Sequence, residues 1–306
     1  MHRFFFLLLP LAIAANAQTQ NLAERLGHPA DSKLLILHAD DLAVAHSEDA
    51  ASFAALDQHA VSSASFMVPC PWLSEVADYD KSHPDADLGL HLTLNSEWKT
   101  YRWGSVAPAD KVPTLLDSTG TMWSTTEEAA THDDPGQAEA EIRAQIDRAL
   151  ALGIRPTHLD AHMGTLFSTP QLFAAYVKVA HEYHIPFFVV KVSDERAKRL
   201  ASLLSPTDIV IDNVVIATPN VPADQWQTFY VNAIKNLQPG LTYMIVHLAY
   251  DDSESRAMMG QDIPYGAAWR QRDFDAVTSP AFQQALKDNH IVVIHWRDLQ
   301  KLAYPN

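Results

Sequence analysis

The chain has 306 residues with 37 acidic against 22 basic side chains, a formal charge of −15. That length suits one large α/β domain or two small ones. The charge argues against a nucleic-acid or anionic-membrane partner and suits a neutral or cationic substrate. The single Cys70 excludes an intrachain disulfide and a cysteine-based zinc site, so any bound metal must take His and carboxylate ligands.

At the N-terminus, Met1-His2-Arg3 is basic, Phe4 to Ala15 is apolar, and Ala15-Asn16-Ala17 fits a small-x-small cleavage pattern. Residues 1–17 therefore read as a signal peptide. The apolar run, about 12 residues against the roughly 20 needed, is too short to span a bilayer. The expectation is an exported, periplasmic or secreted protein whose mature part, 18–306, has no integral membrane segment.

Beyond that point, short aliphatic runs alternate with helical segments, the pattern of repeated βα units around a mainly parallel sheet. Strands are expected at Leu34–Ala39, Ser63–Val68, Leu88–Leu92, Thr157–Ala161, Phe187–Val192, Val214–Ile216, Tyr243–Leu248 and Ile291–Trp296. Asp133-Asp134-Pro135 opens a helix at Gln137–Leu152 that stops at Gly153, and Ser168-Thr169-Pro170 opens one at Gln171–His184. Between them, Trp98–Thr126 is irregular and rich in Pro, Gly, Ser and Trp, as a functional loop would be. Seven or eight strands could close into a barrel or stay open as a doubly wound sheet. No Gly-x-Gly-x-x-Gly follows the first strand, which disfavours a dinucleotide site. The acids and histidines fall at strand C-terminal ends, where both architectures bind ligands.

The first strand ends in His38-Ala39-Asp40-Asp41-Leu42. Two acids closing a buried strand need a cation, a hydrogen bond or a pairing partner. Strand alternation predicts that Asp40 and Asp41 point different ways, so one can ligate a metal while the other handles a proton. His38 and His46 lie beside the pair as supporting residues. Gly89-Leu90-His91 places a histidine at a strand end, and Trp98, Tyr101 and Trp103 follow it closely enough to stack on a sugar ring or to pin the loop. Thr157-His158-Leu159-Asp160-Ala161-His162 puts His158, Asp160 and His162 on one strand face. His162 is nearest the C-terminal end and best placed as a ligand, with Asp160 able to orient an imidazole. One carboxylate and two imidazoles would leave room for water and substrate. Such a donor set favours zinc or another transition metal, while magnesium prefers oxygen ligands. His247 ends a late strand and suits an acid role near neutral pH. His295 reads as structural. Arg270, Arg272 and Asp273 form a charged cluster, from which Arg270 is a candidate substrate contact.

In order along the chain, these segments resemble the YdjC-like (ChbG/HpnK) carbohydrate deacetylases. That family's Ala-Asp-Asp-Phe-Gly appears as Ala39-Asp40-Asp41-Leu42-Ala43, its Gly-x-His as Gly89-Leu90-His91, and its Pro-Thr-His-Leu-Asp-Ser-His as Pro156 to His162. The resemblance extends to His247 and to Trp296-Arg297-Asp298. It implies a single-domain distorted (β/α) barrel over 18–306 and one divalent ion, zinc or magnesium, on Asp41, His91 and His162. It also implies Asp40 as the general base and hydrolysis of an N-acetyl group from a small carbohydrate substrate, an acetylated amino sugar. The chain departs from the family in having Met163-Gly164-Thr165-Leu166 where further histidines are common, and His247-Leu248-Ala249 in place of His-Pro-Gly. A metal-dependent esterase or phosphoester hydrolase, and a non-catalytic sugar-binding protein, are the competing readings. Monomer and homo-oligomer are both compatible with the sequence.

Overall fold

The computed structural model describes residues 20–191 and 202–305. The expected leader, 1–17, and the last residue of the expected strand Phe187–Val192 lie outside them. In chain order the first elements are α1 (Leu22–Arg25), β1 (Lys33–Leu42), α2 (His46–Asp57), β2 (Ser63–Phe66), α3 (Leu73–Ser82) and β3 (Leu88–Leu92). Then come α4 (Thr126–His132), α5 (Pro135–Ala151), β4 (Leu159–Ala161), α6 (Pro170–Tyr183), β5 (Asn213–Ile216) and α7 (Trp226–Asn236). The last are β6 (Gly240–His247), α8 (Ser253–Met259), α9 (Ala267–Val277), α10 (Pro280–Asp288), β7 (Ile291–Val293) and α11 (Trp296–Ala303).

The seven strands form one sheet in the order β4-β3-β2-β1-β6-β5, every pairing parallel, with β7 also on β1. β6 runs along one edge of β1 from Lys33 to Asp40. The other edge is shared: β7 takes Lys33–Leu35 and β2 begins at His38. β7 stops short of the expected Ile291–Trp296 because His295 already caps α11.

The expected strand at Phe187–Val192 is not one. Phe187 makes a single parallel bridge to Leu159 and Val190 a single one to Ile211. The segment crosses from β4 to the chain preceding β5 instead of running beside either. Its apolar pattern reflects burial of Phe187 and Val189, which alternation alone does not distinguish from a ladder. These two bridges span the gap between β4 and β5 and give the barrel its distortion.

Both helix readings fall within two residues of the observed bounds, and their caps explain why. The Asp134 side chain accepts from the backbone N–H of Gly136 and Gln137 with Pro135 in the first turn, and Thr169 accepts from Leu172 ahead of α6. His184, at φ +54, ends α6 in the left-handed conformation.

β1 is apolar from Leu34 to Leu37, where both its faces are buried. Leu35, Leu37 and Ala39 join the cluster beneath the helices, whereas Leu34 and Ile36 join Leu241, Tyr243 and Trp296 inside the barrel. The other strands follow the same split: Leu88, Leu90, Ala64 and Phe66 pack outward, which turns Gly89, His91, Ser63 and Ser65 inward. The interior is thus apolar at the floor, where α11 packs, and polar toward the strand C-termini. Above it the loop 98–126 is held down by buried Glu141 of α5, whose carboxylate accepts from the N–H of Val106 and Ala107 at 2.9 Å each.

Candidate active site

Strict alternation would turn Asp40 inward and Asp41 outward. The structure brings both into the barrel mouth. Asp41 has φ +73 and Ala43 φ +71, and the register with β2 shifts between Ala39 and Leu42. This irregularity re-aims one side chain, as bulges do near functional sites. The Ala43 N–H donates to Asp49 Oδ1 at 2.6 Å, so α2 holds the turn in place.

Asp41, His91 and His162 form a buried group whose ligand atoms lie within 4.8 Å of one another. Asp41 Oδ1 is 3.2 Å from His91 Nε2 and 3.2 Å from His162 Nδ1, yet it is buried without a hydrogen bond. Each imidazole is committed through its other nitrogen. His91 Nδ1 donates to Asp160 Oδ1 at 2.7 Å, and His162 Nε2 donates to Glu97 Oε2 at 2.9 Å. Two imidazole nitrogens and a carboxylate oxygen therefore converge on one space, and nearby carboxylates raise both imidazoles against burial, so a metal binding there would displace protons. A divalent cation satisfies that arrangement, and the carboxylate behind each imidazole is the usual support for a metal-ligating histidine. Burial works to raise the Asp41 carboxyl, but the Arg270 guanidinium and the two imidazoles hold it well below the ordinary range.

Asp40 stands beside this group with its two oxygens in different roles. Oδ1 lies 3.1 Å from His38 Nε2, while Oδ2 faces His247 Nε2 at 3.9 Å and His91 Nε2 at 4.0 Å. His38 is fully buried, 3.0 Å from Asp160 Oδ2 and stacked on Tyr243. Burial opposes its charge, but Asp160 and Asp40 outweigh that and raise it to about 9. His247 has no comparable partner. Burial lowers it to about 4, so it rests neutral.

The remaining sequence candidates separate clearly. Arg270, expected among substrate contacts, is instead 2% exposed and bonded to Asp41 Oδ2 at 2.8 Å, with its Nε on the Tyr265 carbonyl. α9 packs against β6 and points the guanidinium at Asp41, while its Nη1, 3.8 Å from Glu48 Oε1, is buried without a hydrogen bond. Trp103 is buried with its indole N–H on the Asn95 carbonyl, and the Tyr101 hydroxyl donates to the Val44 carbonyl, so both pin the loop. Trp98, partly exposed like Tyr101, has no side-chain hydrogen bond of that kind and lies 6.0 Å from the Arg270 guanidinium. His158 sits deeper than Asp160 and His162, stacked on Trp296; a Cβ on Gly89 would collide with its ring. His46 pairs with Glu75 outside the mouth, and His295 donates to the Ser62 carbonyl. Asp273 is buried, accepting from Trp226, Tyr230 and the His247 backbone.

Sequence reasoning missed Glu97, Ser65 and Glu48. Ser65 Oγ lies 3.2 Å from His91 Nδ1, and Glu48 Oε1 lies 3.8 Å from Arg270. Glu48 is buried, which raises its carboxyl to about 8. The one available signal was for Glu97: an acid two residues beyond Asn95 at the start of a Trp-rich loop.

A family model described as YdjC-like protein matches residues 34–288. The chain is 29% identical to a carbohydrate deacetylase of Thermus thermophilus over 93% of this chain and all of the other. It is 25% identical to a chitooligosaccharide deacetylase of Yersinia enterocolitica, over 83% of this chain and 94% of that one. A crystal structure of an Enterococcus faecalis protein described as a cellobiose-phosphate cleavage protein superposes with a TM-score of 0.75. It covers 88% of this chain and 99% of its own at 20% identity, a likeness of fold.

Proposed function

Because the chain belongs to the YdjC-like family, we propose that it is a metal-dependent hydrolase that removes N-acetyl groups from an acetylated amino sugar or oligosaccharide. The observation that carries this reading is the buried Asp41 Oδ1, without a hydrogen bond, facing two imidazole nitrogens beside an acid that has one oxygen directed at the same space. The names of the relatives in Thermus thermophilus and Yersinia enterocolitica supply the substrate class.

Asp41, His91 and His162 would hold the ion, and two nitrogens with one oxygen favour zinc or another transition metal over magnesium. Such an ion supplies Lewis-acid polarisation of a carbonyl and a lowered pKa for water. Asp40 Oδ2 accepts the proton of the attacking water. His247, neutral at rest, faces that oxygen and carries the proton to the departing sugar nitrogen, so it is charged only during turnover. Trp98 offers a partly exposed ring against which the apolar face of a pyranose can lie. We also propose that residues 1–17 direct export, so that the enzyme meets its glycan outside the cytoplasm; the mature chain would then begin at Gln18, which N-terminal sequencing of the exported protein checks.

The test is a screen of N-acetylated chitooligosaccharides, acetyl esters and phosphodiesters, with and without chelator. Acetate release from the N-acetyl sugars that chelator abolishes and zinc restores is expected. Turnover of esters or phosphodiesters alone would replace the deacetylase reading. Binding of oligosaccharide with no turnover of any substrate would replace it with a sugar-binding protein.

A further inference from the structure

In the polar interior of the barrel one imidazole lies between Asp40 at the mouth and Asp160, the support of His91. His38 is fully buried. Its Nδ1 lies 2.7 Å from Ser63 Oγ and its Nε2 lies 3.0 Å from Ser65 Oγ, while Asp40 Oδ1 at 3.1 Å and Asp160 Oδ2 at 3.0 Å are ion-pair contacts of that same Nε2. Tyr243 stacks on the ring at 5.0 Å between centroids and His158 meets it edge-on at 5.0 Å. The imidazole therefore has one orientation available, fixed by packing on both sides and by the Ser63 and Ser65 hydroxyls on its two nitrogens.

Each of the two carboxylates it contacts is divided between two tasks. Asp160 gives Oδ2 to His38 and Oδ1 to His91 Nδ1. Asp40 gives Oδ1 to His38 and leaves Oδ2 facing His247 and His91. The His38 imidazole is the nearest ion-pair partner of Asp40: Oδ1, buried without a hydrogen bond, stands 3.1 Å from its Nε2, whereas the other contacts stand at 3.9 and 4.0 Å. A carboxylate free to rotate about its own bonds would turn toward the nearest positive charge and lose the geometry of a base.

We propose that His38 is the positioning residue of the base: it holds Asp40 Oδ1 so that Oδ2 faces the reacting atoms, and through Asp160 it ties that orientation to the metal ligand His91. The proposal rests on the deacetylase reading for the role of Asp40, while the linkage itself is independent of substrate. A base displaced by about 1 Å can cost on the order of 100-fold in rate, so positioning of this kind is consequential even though His38 never meets the substrate.

The experiment compares His38→Met and His38→Gln in the full chain loaded with zinc. His38→Met fills the site with an adaptable apolar side chain and removes the donor; His38→Gln retains an N–H. For His38→Met, kcat on N-acetylated chitooligosaccharide should fall about 100-fold with KM and bound zinc unchanged. His38→Gln should recover most of that loss. In an Asp40→Asn background His38→Met should add nothing, because residues acting as one unit are not additive. A crystal structure of the zinc-loaded His38→Met variant should show Asp40 Oδ2 turned from His247 while Asp41, His91 and His162 keep their places. Ser63→Ala, a small truncation that the fold should tolerate, releases the ring from the other side and should lower kcat in the same direction. An unmoved Asp40, or losses that add in the Asp40→Asn background, overturns the proposal. If the wild type proves inactive on every acetylated sugar, the deacetylase reading fails and the position of Asp40 still decides the linkage.

Discussion

Glu97 Oε2 accepts from His162 Nε2 at 2.9 Å, and this bond determines that His162 presents Nδ1 to Asp41. Glu97 belongs to the loop after β3, so the ring orientation of a proposed metal ligand depends on a segment that also carries Trp98. Burial opposes the charge of His162, but Glu97 and Asp41 raise the imidazole to about 9 in the metal-free protein. Zinc must therefore displace a proton to bind there. Glu97→Gln should weaken zinc by about 10–100-fold, the usual effect of losing the carboxylate behind a ligating imidazole, as read by competition with a chromogenic chelator. Unchanged affinity would detach the loop from the metal group.

The three ligands and the base should separate cleanly. His91→Ala and His162→Ala each remove one of three donors and should leave the purified protein without stoichiometric metal by elemental analysis. Asp40→Asn should keep the metal and lose about 10²–10⁴-fold in kcat, the range for a general base. Full activity in Asp40→Asn would reassign the base.

Arg270 and Asp41 are both 2% exposed and joined at 2.8 Å. Removing one partner of such a pair leaves the other charge buried, which costs about 3–5 kcal/mol. Arg270→Met should therefore lower metal-free stability by that amount in urea unfolding. Zinc should recover part of the loss, because the cation replaces the missing positive charge beside Asp41. A loss below about 1 kcal/mol would mean that water reaches the pair.

His247 provides the pH dependence. Its folded pKa of about 4 lies below the ordinary histidine value because burial disfavours the charged ring. Between about pH 6.5 and pH 4 the unfolded chain binds the proton more readily than the folded one. Stability from this group is thus fully present above pH 6.5 and is lost as pH falls toward 4. His247→Phe should make metal-free stability flatter across that window, compared by denaturant unfolding at pH 4.5 and 7. An equally steep profile would assign the acid sensitivity to another group.

Ala43 occupies the place of the glycine in the family's Ala-Asp-Asp-Phe-Gly motif and sits at φ +71. A left-handed residue with a Cβ costs on the order of 1–2 kcal/mol, offset by roughly 0.5–1 kcal/mol of extra chain entropy for glycine. Ala43→Gly should raise the melting temperature slightly with metal content unchanged. A clear drop would show that the Ala43 methyl, which is fully buried, contributes more by packing than it costs in strain.

Much of this protein is legible in its sequence because the relevant signals are local. The aliphatic run at Leu34–Leu37, the caps at Asp134 and Thr169, and the acids and histidines at strand ends each report a backbone state or a burial within a few residues. They were sufficient for a parallel α/β fold and for the identity of the ionisable groups at its mouth. The same local logic overextended the strand at Phe187–Val192, where apolar residues are buried without a ladder. Nor does it show that Arg270, read as a candidate substrate contact, pairs with Asp41, 229 positions away.

Only the tertiary structure shows where the two adjacent carboxylates point. Strand periodicity would send Asp40 and Asp41 to opposite faces, and a positive φ at Asp41, held by Asp49 from the following helix, brings both into one site. Which oxygen is free and which is held then depends on His38, Asp160, Glu97 and Arg270, supplied by different strands, loops and helices. A sequence specifies which groups can titrate or ligate; their distances, and so their roles, arise from contacts between residues far apart in the chain.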